Sequence, residues 1–476
     1  MTPWIRWNAD AAPAEPAWRW LAEDLGMPAL LATPPRQRAD LVLPASRLAE
    51  PTRQKLFALL GRERVHLDDD ERIAHAAGDG AVGQLRLRGG DLSHAPDVVV
   101  YPRHEDDVLA LLRICAEDGI AVTVPGMQTQ GKHAATLACN MTGMADILSL
   151  DAMSGLALVE AGIASAELAR QLAARGLAFG PASFSTLGGL IARGIGTDGL
   201  QDIRVATPQG LLPSGRNHIG RCLGIVTAAT LHVHAAPART LHQFYRFPDF
   251  ASGLAAMRET QRESVAQPSV RLSDAGETRF HRRLAGMGQR SSLWKRLEEM
   301  VRGARQPDNG AAALDITFSG SAADVEIARK RFAALAKRLG AQTHDAEAPP
   351  QDYRPLLLDR GVTVDVICTA ASWSNLPVLY AALRTALDQA MRLHAPREGA
   401  HGLVLAQVTG ARHDGADLCC TFIFPRRLSG DVAQAQAVRQ AALDILAAQA
   451  HAGSTLETDV RRAVKSVLDP RNVLGT

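Results

Sequence analysis

The stretch "ARGIGTDGLQD" (192–202) spaces its glycines as Gly194-x-Gly196-x-x-Gly199. With this spacing a glycine turn can set a dinucleotide pyrophosphate on a helix N-terminus. That chemistry needs a strand before the turn and a helix after it. The preceding "FSTLGGLIAR" carries a glycine pair that argues against a regular buried strand. The following "LQDIRVATPQGLL" is β-like and ends in a turn. No strand-borne Asp or Glu follows at the required distance of about 20 residues. The pattern reads as chance spacing, and a Rossmann-type nicotinamide or flavin enzyme is set aside.

Other chemistry-bearing residues are sparse. The six cysteines (Cys115, Cys139, Cys222, Cys368, Cys419 and Cys420) form no CxxC pair, so no metal site is expected. Their irregular spacing fits free, buried thiols in a reducing cytoplasm. His133, His401 and His413 are acid–base candidates by residue type, although a histidine in a loop or core is the commoner use.

The bulk properties bound the rest. The 476 residues suggest two or three domains. With 52 Lys+Arg against 50 Asp+Glu there is no basic excess to hold a nucleic acid. No apolar run reaches the roughly 18 residues of a membrane span. The N-terminus, charged throughout, does not read as a signal peptide. Its four tryptophans (Trp4, Trp7, Trp18 and Trp20) read as packing a terminal helix onto the body, with an interfacial anchor as the alternative.

The elements that must position any site follow from periodicity. "EPTRQKLFALLG" is an amphipathic helix stopped at Gly61. From residue 96 the chain reads strand, helix, strand. Val108, Leu111, Leu112 and Cys115 share one helical face, and Gly119 ends that helix. "ILSLDAMSGLALVEAG" gives two strands, and "SAELARQLAARG" a helix with Ser165 as cap and Gly176 as stop. Further on, Leu314, Ile316 and Phe318 alternate as in a half-buried strand. Ser321 and Asp324 open the next helix as a capping box. "GLVLAQVTGARHDGADLCCTFIF" is a hairpin around Asp414-Gly415, and "QAQAVRQAALDILAAQAHAG" a long closing helix.

In that order, "APDVVVYPRHEDDVLALLRICAEDGIAVTVPG", "LSLDAMSGLALVEAGIASAELARQLAARGLAFGPASFSTLGG" and "LGIVTAATLHV" resemble the FAD-binding domain of the vanillyl-alcohol oxidase and p-cresol methylhydroxylase (PCMH) type. "RWN", "QPSVRLSD", "VTGARHDGAD" and "KSVLDPRNVLG" extend the resemblance over nearly the whole chain, to the alkyldihydroxyacetonephosphate synthase branch of that family. The resemblance implies an α+β fold, a two-subdomain PCMH-type FAD-binding fold plus a cap domain of antiparallel sheet covered by helices. It divides the chain into an N-terminal helical extension (1–95), the FAD domain (96–238), the cap (239–450) and a C-terminal return to the FAD domain (451–476). It implies non-covalent FAD held by backbone N–H groups of small-residue turns. These turns fall at Gly126, Met127, Gln128, Thr129 and Gln130; at Pro181 to Gly189, including Ser185, Thr186 and Gly188; and at Gly224, Ile225 and Val226. Arg271 matches the family's active-site arginine, and its guanidinium suits a phosphate or carboxylate.

The sequence also departs from the family. Met127 and Gln128 replace glycines of the first turn, and "GRCLG" lacks the acidic residue of the last. The stretch after Gly189 is shortened. The histidine run expected after "GSTL" is missing, and Cys419, Cys420 and Thr421 stand where the hairpin tyrosine is expected. The expectation is an FAD-dependent oxidoreductase or transferase-like enzyme on a small or lipid-like organic substrate. The alternative is a degenerate member without flavin redox activity, acting as a binding or scaffold partner or a repurposed non-redox catalyst. Homodimers are common in the family; nothing in the sequence marks an interface.

Overall fold

The computed structural model describes residues 15–77, 80–124, 133–180, 186–193, 199–213, 223–262, 269–288, 310–344, 354–451 and 455–474. The chain forms two compact units, Arg36–Ala236 with Ala450–Thr476, and Trp4–Pro35 with Pro237–Gln449. The residues before 96 are thus shared between them, helix α1 (Glu15–Asp24) belonging to the second unit.

In the first unit, α2 (Glu50–Leu60) ends at Gly61 with φ 83°, and α3 (Asp69–Ala74) and α4 (Ala81–Gly89) follow. Strands β1 (Val65–His66), β2 (Val98–Val100), β3 (Ile120–Thr123) and β4 (Ala135–Cys139) make a sheet in the order β1-β2-β4-β3, with β2, β4 and β3 parallel. Helix α5 (Glu105–Asp118) crosses between β2 and β3. Its expected face of Val108, Leu111, Leu112 and Cys115 is fully buried, and Gly119 reverses the chain in the left-handed region.

A second sheet runs β5-β6-β10-β8-β9, from Ile147–Asp151 (β5), Leu156–Glu160 (β6), Leu200–Thr207 (β8), Gly210–Pro213 (β9) and Ile225–His232 (β10). All its pairings are antiparallel. Two-residue strands β7 (Leu177–Ala178) and β11 (His234–Ala235) pair beside it. Helix α6 (Ser165–Ala173) packs Leu168 and Leu172 into its core. Ser165 is the first helical residue rather than the cap. Ala164 holds the cap position, with no side-chain bond.

The second unit is built on one seven-stranded antiparallel sheet. Its strands are β12 (Arg239–Phe247), β13 (Ser269–Ser273), β14 (Ala312–Gly320), β15 (Gln342–His344), β16 (Val362–Ser372), β17 (Leu403–Thr409) and β18 (Gly415–Pro425), in the order β15-β12-β14-β13-β17-β18-β16. Helices α8 (Phe250–Arg262), α9 (Ala275–Gly288), α10 (Ala322–Arg338), α11 (Arg354–Asp359), α12 (Leu376–Leu393) and α13 (Asp431–His451) complete it. Leu314, Ile316 and Phe318 alternate inward as expected. Ser321 caps α10, accepting the Asp324 N–H. The hairpin forms, but its reversal spans residues 410–414, with Gly410 at φ 55°, rather than Asp414-Gly415.

The sheet corrects the expectation of six free thiols. Adjacent antiparallel strands place Cys368 directly opposite Cys419, with Cα atoms 4.1 Å apart, and the two form a disulfide. Cys115, Cys139 and Cys420 are free and buried; Cys222 lies outside the described residues. Trp18 of α1 packs with Leu21, Leu25, Phe280 and Ile423, beneath the Arg360 guanidinium. Trp20 packs against the same cluster and lies 6.2 Å from the Phe280 ring, so Trp18 and Trp20 pack as expected. Trp4 and Trp7 lie outside the described residues. No described helix is long and apolar enough to cross a membrane.

Candidate functional site

Two regions carry the expected site residues. In the first unit, the turn at Gly126, Met127, Gln128, Thr129 and Gln130 follows β3 in sequence. It lies outside the described residues, as do Pro181 and Ser185. Thr186 opens helix α7 (Leu187–Arg193), its Oγ1 accepting the Gly189 N–H at 3.3 Å. The Leu187 N–H donates to the Ile163 carbonyl at 2.9 Å and the Gly188 N–H to the Ala161 carbonyl at 2.7 Å. A Cβ on Gly188 would meet the Ala161 Cβ at 3.1 Å. On Gly224 it would fall 2.3 Å from the Ala206 carbonyl oxygen. Ile225 and Val226 continue as the start of β10, opposite Ala206 and Val205. Gly188 and Gly224 thus let neighbouring backbones of the chain itself approach.

The helix α7 precedes Gly199, and strand β8 follows it. This is the reverse of the strand-turn-helix order a pyrophosphate-binding Rossmann loop needs, so the chance reading of that glycine pattern holds.

In the second unit, Val270 and Leu272 of β13 are buried and Arg271 points to the opposite face. Arg271 Nη2 donates to Glu277 Oε1 at 2.8 Å. Glu277 sits in the first turn of α9, where Asp274 Oδ1 accepts its N–H at 2.8 Å. Asp274 is fully buried. Its Oδ2 takes the Tyr380 hydroxyl at 2.9 Å and the Arg384 guanidinium at 2.8 Å. Burial pushes the Asp274 carboxyl up from its ordinary range, and these hydrogen bonds and the Arg384 charge pull it back. One turn along α9, His281 Nε2 lies 3.4 Å from Glu277 Oε1. Asp315 of β14 is the register partner of Arg271. Burial raises its carboxyl too, against the pull of Arg271 and His242.

The cluster is incompletely satisfied. Arg271 Nε, Glu277 Oε2, His281 Nδ1 and Asp315 Oδ1 are buried without a hydrogen-bond partner among the described residues. A guanidinium, an imidazole and two carboxylates in one place can hold an anionic group and move a proton. A cavity of about 160 Å³ elsewhere in this unit is lined by Arg279, Phe280, Arg384 and Leu403 but by none of these four.

Arg271 is the only one of the four expected from the sequence. Glu277 and His281 were missed, although Asp274 three residues before Glu277 carries a capping signal and Glu277 to His281 is helical spacing. His401 instead lies against the Gly399 carbonyl, and His413 is exposed in the hairpin loop. His133 lies in the other unit, just before β4. No group of three or more His, Cys, Asp or Glu side chains among the described residues could hold a metal.

Comparison with known proteins agrees with both units. Residues 96–210 match the FAD binding domain model, and residues 237–455 match the C-terminal domain model of FAD linked oxidases. The alkyldihydroxyacetonephosphate synthase of Dictyostelium discoideum is 25% identical, the alignment covering 86% of this chain and 77% of that protein. A solved alkyldihydroxyacetonephosphate synthase structure superposes with a TM-score of 0.75 at 22% identity, over 96% of this chain and 92% of that one. Substrate-bound p-cresol methylhydroxylase superposes with a TM-score of 0.62 at 14% identity, over 91% and 98%. The chain belongs to the FAD-linked oxidase family of PCMH-type fold and is similar to alkyldihydroxyacetonephosphate synthase.

Proposed function

We propose that the chain is an FAD-dependent enzyme, oxidoreductase or transferase-like, acting on a small or lipid-like organic substrate that carries an anionic group. The observation that supports it best is the pair of FAD-linked models matched in order along one chain. In the first unit the small residues at 161, 162, 188 and 224 fit a turn scaffold on which backbones approach closely. The amides of Leu187, Gly188 and Gly189 are taken up within the chain. We assign the donors to a non-covalently held pyrophosphate, as the resemblance implies, to the turns at 126–130, 181–189 and 224–226, with the amides of 187–189 already engaged within the chain. Bound FAD would supply electron acceptance.

The chain's own residues bind, orient and move protons. Arg271 holds the substrate's anionic group through its planar fork. Glu277 fixes that guanidinium. His281 beside Glu277 is an acid–base group that stands in for the missing tyrosine and histidine run. The relatives' name specifies an alkyldihydroxyacetonephosphate, and a phosphate on the substrate would suit Arg271. Cytoplasmic action as a homodimer belongs to the same proposal.

A second reading, a family member without flavin redox activity, is favoured by Met127 and Gln128 in place of turn glycines. The visible absorption spectrum of purified protein separates the two. We expect a yellow protein that releases FAD on denaturation. Colourless protein that takes up no FAD on reconstitution would overturn the flavin reading. With the histidine run missing, incubation with an acyl-dihydroxyacetonephosphate and a fatty alcohol should give no ether product. Ether product would show that the run is dispensable.

A further inference from the structure

The C-terminal "KSVLDPRNVLG" has no role in the reading above, yet it is tightly built into the first unit. The buried Asp469 pairs with Lys465 Nζ at 3.0 Å and accepts the amides of Val473 at 2.9 Å and Leu474 at 3.0 Å. Such a buried carboxylate is tolerated only when fully partnered. Arg471 Nη1 donates to the carbonyls of Ala116 and Glu117 at 2.6 and 2.7 Å, capping the end of α5. Asn472 takes a left-handed φ of 49°, turning the chain so that Val473 and Leu474 are fully buried.

The tail then meets β3. This strand is at the edge of its sheet, and its Val122 N–H donates outward to the Val473 carbonyl at 2.7 Å. Val122, Ile225, Val473 and Leu474 belong to one apolar cluster. The chain leaves β3 directly into the turn at 126–130, and Ile225 begins the strand behind the turn at 224–226. The tail is therefore hydrogen-bonded to the strand that leads toward the first of the turns the resemblance assigns to FAD, and it shares an apolar cluster with Ile225 of the last.

We propose that Lys465–Leu474 is a clasp that sets the protein's affinity for FAD, with Asp469 as the positioning residue. The proposal rests on the flavin reading given above.

Asp97 supplies the control for a merely structural role. It too is buried, and its carboxylate accepts the amides of Arg47 at 2.7 Å and Thr136 at 2.8 Å. It immediately precedes β2, at the opposite end of the parallel strands from the 126–130 turn. The full-length protein and its Asp469→Asn and Asp97→Asn variants are stripped of flavin, titrated with FAD and melted. Both variants should melt earlier. Asp469→Asn should weaken FAD binding about tenfold or more, the scale of losing hydrogen bonds to a buried charge, and Asp97→Asn about twofold or less. Equal weakening in both overturns the clasp alone. Wild-type apoprotein that takes up no FAD overturns the flavin reading and the clasp with it.

Hydrogen exchange on the wild type keeps the test open should Asp469→Asn not fold. FAD should slow exchange of the Val122, Val473 and Leu474 amides more than that of Thr136. Equal slowing overturns the proposal.

Discussion

The turns of the first unit that the resemblance assigns to FAD and the Arg271 cluster of the second are, where the structure describes them, satisfied to different degrees. At Leu187, Gly188 and Gly189 each amide has a partner inside the chain, and Gly224 has no room for a methyl group. Around Arg271, four buried polar atoms have no partner among the described residues. A saturated turn is scaffold, and changing it should destroy structure. An unsaturated cluster is carried at some expense of stability, the usual mark of a working site, and relieving it should be tolerated or even stabilising.

The largest effect should come from the saturated side. Gly224→Ala drives a Cβ to 2.3 Å from the Ala206 carbonyl, which is backbone and cannot swing away. We expect a loss of about 3 kcal/mol, read from thermal unfolding. A loss under about 1 kcal/mol would mean that β8 and β10 shift freely, and the contrast between the regions would fail.

A smaller effect should follow on the unsaturated side when its Arg271–Glu277 ion pair is cut. Glu277→Ala leaves Arg271 partly buried without its carboxylate, whereas Glu277→Gln keeps a carbonyl for Nη2. The alanine should cost about 2 kcal/mol and the glutamine clearly less, because Arg271 retains some solvent contact. Equal costs would show that packing, not the ion pair, holds α9 against β13.

How far the sequence foretold these regions depends on distance along the chain. The buried face of α5, the alternation of β14 and the Ser321 cap are local patterns, and each formed as read. The order of flavin-type elements was equally legible, because the resemblance runs over nearly the full length. Long-range outcomes were not. The Cys368–Cys419 bond joins residues 51 apart and depends on a strand register that the hairpin turn alone does not set. Glu277 and His281 matter only because α9 folds back across β13, where Arg271 waits. Ser165 failed as a cap by one residue, within the ordinary uncertainty of helix ends.

The smallest predicted effect is the sharpest test of the comparison, because its sign opposes the usual one. Burial raises the Asp315 carboxyl above its unfolded value, and the attraction of Arg271 and then His242 offsets this only in part. A carboxyl raised on folding binds protons more readily in the native state. Its ionisation therefore takes stability away as pH rises from the unfolded carboxylate range, about 3.9, through the folded value. Asp315→Asn removes that burden. The variant should be more stable than wild type at neutral pH by about 0.5 kcal/mol, a modest gain because solvent still screens the half-buried group. The advantage should vanish once the pH falls below the unfolded value, where the Asp315 carboxyl is neutral in both the folded and the unfolded chain. Urea unfolding at pH 7 and near pH 3.5 would read both numbers. A variant less stable than wild type at neutral pH would mean that the Arg271 attraction outweighs burial. Asp315 would then be a structural ion-pair partner, and the cluster would be as saturated as the turns.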